Sequence, residues 1–87
     1  MTKAKIKEEL KRQTGDKGAG FTLWNNTAVI DGIKVARVAW HSRAQYKVIN
    51  KGATFEDVSK RDYKPIKEFY YLEELIDYIY DEIQKKL

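Results

Sequence analysis

The sequence predicts an α+β fold: an N-terminal helix, a three- to four-stranded antiparallel β-meander, and a C-terminal helix packed on the sheet. Three observations carry that reading. From about Glu68 the apolar residues recur at steps of three and four, the period of a helix. The middle of the chain holds short β-like runs divided by Asn25-Asn26, Asp31-Gly32 and Asn50-Lys51-Gly52. The first residues pair charges at helical spacing and stop at Gly15, the residue type that most readily closes a helix. With 87 residues, 43% of them apolar, the expectation is one domain, residues 1–87, with a single small core.

Thr2–Thr14 reads as the first helix. Glu8 precedes Arg12, and Lys5 precedes Glu9, at the favourable i,i+4 spacing. Its apolar face is thin, chiefly Ile6 and Leu10, which predicts a lid held through two side chains. Asp16–Gly20 reads as a loop and Phe21–Trp24 as a strand. Thr27–Ile30 and Ile33–Trp40 flank Asp31-Gly32, a strong hairpin signal because both residue types tolerate positive φ. Alternation in Ile33–Trp40 is imperfect, with Ile33 and Val35 in one phase and Ala36, Val38 and Trp40 in the other. Either both faces are covered or a bulge resets the phase near Val35. Gln45–Ile49 is the next strand, Thr54–Val58 a weak one, and Ser59–Lys67 a charged loop with the only proline, Pro65. The last helix has an apolar arc of Phe69, Leu72, Ile76, Ile79, Ile83 and Leu87, with Leu75 and Tyr80 at its margins. Early acids (Glu73, Glu74, Asp77) and final Lys85 and Lys86 suit the helix dipole.

Charge is segregated along this frame. Residues 1–67 carry 15 Lys/Arg against 7 Asp/Glu, whereas residues 68–87 carry 2 against 6. A basic body joined to an acidic, tyrosine-rich helix points to an anionic partner for the first and a different contact for the second.

Chemistry-bearing motifs are sparse. Without cysteine there is no disulfide framework or thiolate chemistry, and no metal site or cofactor is expected. The single histidine, His41, lies beside Ser42, but neighbours on a strand point in opposite directions and no acid orients them, so no catalytic residue is assigned. Gly15, Gly18 and Gly20 around Lys17 match no phosphate-loop pattern. The helix–strands–helix order resembles that of double-stranded RNA-binding domains only in outline, because Lys64-Pro65-Ile66-Lys67-Glu68 leads into an acidic helix. No apolar run reaches membrane-spanning length, and the expectation is a cytoplasmic, non-enzymatic protein.

Two binding surfaces are expected. Lys3, Lys7 and Lys11 form one stripe on the first helix, and Lys34, Arg37, Arg43, Tyr46 and Lys47 add cations and an exposed aromatic platform on the strands. Such a surface suits nucleic acid, through phosphate neutralisation and base stacking; the plain alternative is a solvated helix face and strand aromatics used in the core. Tyr70, Tyr71, Glu74 and Tyr78 on the acidic helix suit a protein partner, as in a small phage or mobile-element regulator, or a second copy of the chain. The plain alternative there is a tyrosine rim sealing the core.

Overall fold

The structure, a computed structural model, describes residues 1–14, 27–40 and 43–87, with only the backbone of Ala39, Trp40, Arg43 and Ala44. The expected loop at Asp16–Gly20, the strand at Phe21–Trp24 and the residues His41 and Ser42 lie outside the described residues. In chain order the elements are α1 (Lys3–Thr14), β1 (Thr27–Ile30), β2 (Ile33–Trp40), β3 (Arg43–Ile49), α2 (Phe55–Val58), β4 (Lys67–Phe69) and α3 (Leu72–Lys85). The strands form one four-stranded antiparallel meander, β1-β2-β3-β4, so the α+β fold is as predicted. Asp31 at φ 50° and Gly32 at φ 82° make the two-residue turn between Ile30 and Ile33, the left-handed conformation that Asp-Gly accommodates.

The imperfect alternation of β2 has a plain cause: both faces of the sheet are covered. Pairing with β1 and β3 runs without a bulge. Val35 joins Ile30, Tyr46 and Val48 beneath α1 and α3, in a core with Ile6, Leu10, Leu75, Ile76, Ile79 and Ile83. Ala36, Val38 and Ile49 point the other way, onto Ala53 and Val58 of the segment that crosses from β3 to β4. A second small core therefore lies behind the sheet.

Three expectations are corrected. Thr54–Val58 is not a strand. The Thr54 hydroxyl accepts the Asp57 N–H at 3.2 Å, and the Asp57 carboxylate accepts the Thr54 N–H at 2.9 Å, so a reciprocal cap starts the short α2. That backbone bond from Thr54 is the main reason the Asp57 carboxyl sits below its ordinary pKa. The last helix starts at Leu72 rather than near Glu68, because Lys67–Phe69 pairs with Val48, Lys47 and Tyr46 as β4. A three-residue strand is too short to impose its own period on the sequence. Finally, α1 is no lid: Ile6 and Leu10 are each 0% exposed and sit within the main core, and Leu75, expected at the margin of α3, is also fully buried.

A polar network also ties α1 to the sheet. The Gln13 amide donates to the Val29 carbonyl and accepts the Val29 N–H, each at 2.7 Å. The side chain thereby imitates a neighbouring strand on the outer edge of β1. Gln13→Ala is expected to cost about 1–2 kcal/mol, two modest hydrogen bonds, read from urea denaturation. Gln13 is itself steadied by Glu9, which accepts from it at 3.1 Å and also pairs with Arg12. The bonds from Arg12, then Gln13, hold the Glu9 carboxyl at a pKa of about 2, against an ordinary 4.5. A depressed folded pKa contributes stability above the ordinary value, which is lost as pH falls from about 4.5 towards about 2. Carboxyl NMR should show Glu9 titrating near the lower figure, and Arg12→Ala should return it towards the upper one.

Candidate functional site

The basic stripe of α1 is partly consumed inside the molecule. Lys3 Nζ pairs with the Asp77 carboxylate of α3 at 2.9 Å and lies 5.3 Å from the centre of the Tyr80 ring. The hydrogen bond and charge of Asp77 raise the Lys3 pKa. Lys86 likewise donates to the Asp31 carbonyl at 3.0 Å. Charges far apart in sequence thus meet in the fold. Lys7 and Lys11 make no ion pair among the described residues, and Lys7 is exposed.

On the sheet the expected cations are mostly engaged or enclosed. Lys34 Nζ donates to the carbonyls of Ala53 at 2.6 Å and Lys51 at 3.2 Å, holding the turn after β3. Arg37 is half-buried, in phase with Val35. The Arg43 side chain lies outside the described residues. Tyr46, expected as an exposed platform, is only 8% exposed and belongs to the main core. It faces α3 and pairs with Phe69, a position the sequence period of β3 alone leaves open to either face. Lys47 points to the opposite face, is 4% exposed and lies 3.7 Å from Glu68.

The tyrosine surface survives in altered form. Tyr70 and Tyr71 are 59% and 68% exposed, and Ile66 is 57% exposed. All three flank β4. Because β4 is last in the sheet order, its outer edge has no strand neighbour among the described residues. Tyr78 behaves differently: it is half-buried against the core, its ring 5.6 Å from that of Phe69. The Glu74 carboxylate accepts the Tyr71 N–H at 3.3 Å, so it serves the start of α3.

Ile66 is the member of this surface that sequence reading missed. It lies in the charged stretch Ser59–Lys67, where no apolar period marks it. Among the described residues no group of acids and histidines could hold a metal ion, and no helix is long and apolar enough to cross a membrane. No family model, curated protein or solved structure matches this chain.

Proposed function

We propose that this protein is a small non-catalytic binding module that engages a protein partner through the open edge of its sheet. The observation that supports this is the unequal treatment of the two edges. Gln13 occupies the backbone groups of Val29 on the β1 edge, whereas the β4 edge has no strand neighbour among the described residues and is flanked by exposed Ile66, Tyr70 and Tyr71. An extended partner segment laid along β4 gains main-chain hydrogen bonds there, and the apolar flanks supply contact area. Tyrosine suits that role, with large area at low entropy cost. A regulator or inhibitor of the phage or mobile-element kind would act in this way. The test is identification of the partner by pull-down with nuclease treatment, followed by amide exchange of the purified complex. Protection gained at Lys67–Phe69 supports edge pairing; protection gained only on α1 overturns it.

A second reading, contact with nucleic acid, rests on a specific set of cations. Lys7 and Lys11 on α1, and Lys60 and Lys64 beyond α2, make no ion pair among the described residues. Changing Lys7 and Lys11 to Gln is expected to reduce the slope of log affinity against log salt by about one to two. Fluorescence anisotropy with a labelled oligonucleotide reads that slope, and an unchanged value removes α1 from the interface.

A further inference from the structure

Behind the sheet, Gln45, Lys47, Arg61, Tyr63 and Glu68 line an open cleft of about 360 Å³. Gln45 and Lys47 project from one face of β3, and the chain crossing from α2 to β4 brings Arg61 and Tyr63 over them. Two donors in this cleft are poorly matched. The Lys47 side chain is 5% exposed, and the nearest carboxylate oxygen, on half-exposed Glu68, is 3.7 Å away, beyond hydrogen-bond distance. The Tyr63 hydroxyl oxygen is buried and has no hydrogen-bond partner among the described residues. Enclosing an ammonium is unfavourable unless its protons are accepted, and an enclosed hydroxyl donor without an acceptor adds to that. Arg61 is exposed and lines the same cleft.

An ammonium, a phenol and a guanidinium on residues that line one cleft call for a ligand that only accepts and carries negative charge. A flat carboxylate offers two oxygens in one plane, as Glu68 already does. A tetrahedral phosphate offers three terminal oxygens in different directions, which matches donors arriving from β3 and from the crossing chain. We infer that this cleft is a phosphate-recognition site, with Lys47, Tyr63 and Arg61 as donors and Glu68 as the internal competitor for Lys47. It borders the β4 surface proposed above through Glu68 but draws its donors from β3 and the crossing chain, and its volume leaves room for a sugar or similar group beside the phosphate.

The test is titration with inorganic phosphate at low ionic strength, followed by NMR of the backbone amides. Saturable shifts at Gln45–Val48 and Arg61–Tyr63 are expected. Tyr63→Phe removes only the hydroxyl, and should weaken binding about 10-fold while leaving the fold intact. Lys47→Met keeps the side-chain length without the charge, and should weaken it about 100-fold. Glu68→Gln frees Lys47, and should tighten binding several-fold. A parallel arm compares 5′-phosphorylated with 5′-hydroxyl oligonucleotides. Preference for the phosphorylated strand assigns the group to a strand end, and binding of inorganic phosphate without that preference assigns it to a free phosphorylated compound. Absence of saturable phosphate binding, or equal affinity in wild type, Tyr63→Phe and Lys47→Met, overturns the site. Tyr70→Ala with Tyr71→Ala should leave phosphate affinity unchanged, so failure of the protein-partner reading does not carry this one with it.

Discussion

Leu10→Ala is expected to destabilise the protein as severely as Ile79→Ala, each by about 2–5 kcal/mol. Both side chains are 0% exposed and share one core, the first on α1 and the second on α3. Truncation leaves a cavity walled by rigid strands on one side and the other helix on the other, so little collapse can relieve it. Against the roughly 5–15 kcal/mol total of an ordinary domain, one such change removes a large share. Urea denaturation measures it, and amide exchange supplies the spatial check. Protection in Ile6–Leu10 should match that in Leu75–Ile79, as for one cooperative unit. A detachable α1 would show the opposite: early exchange throughout Lys3–Thr14 and a urea midpoint that Leu10→Ala leaves unmoved.

Tyr70→Ala combined with Tyr71→Ala should separate binding from stability. Both rings lie mostly in solvent, so the pair is expected to cost under about 1 kcal/mol per site. As anchors for a partner strand, however, each is expected to account for 2 kcal/mol or more, about a 30-fold loss of affinity. Tyr78→Ala supplies the contrast. Its ring packs on Phe69 and the main core, and its loss should lower the melting temperature clearly. Calorimetry for stability and surface plasmon resonance for partner affinity read the two effects independently. A double variant that melts early, or one that binds its partner as tightly as wild type, removes Tyr70 and Tyr71 from the interface.

Legibility of this molecule in its sequence tracks how locally each feature is specified. The hairpin at Asp31-Gly32 was readable because two adjacent residues supply the positive φ angles that the turn needs. The body of α3 was readable because four buried residues, Leu75, Ile76, Ile79 and Ile83, repeat at helical spacing. The start of α2 escaped, since Val58 and Phe55 look β-like while the reciprocal Thr54–Asp57 cap is a single local interaction. The exposed tyrosines at the start of α3 are legible from composition, whereas Ile66 stands alone between Pro65 and Lys67 and carries no period.

Sequence alone determined the α+β class, the hairpin, the amphipathic last helix and the separation of charge, because each follows from residues within a few positions of one another. Only the tertiary structure decided which charges are spent internally. Lys3 meets Asp77 and Lys47 lies beside Glu68, pairs that join the basic body to its acidic end. Sequence period likewise could not say that β2 is covered on both faces, since that depends on the chain after β3 returning across the sheet. The same return encloses Lys47. A lysine within the run Tyr46–Ile49 reads locally as a surface cation, and becomes a cleft donor only when Tyr63 and Arg61 arrive from outside the strand. Burial is a property of what lands on a residue, and the landing segment here lies fourteen or more positions away in the chain.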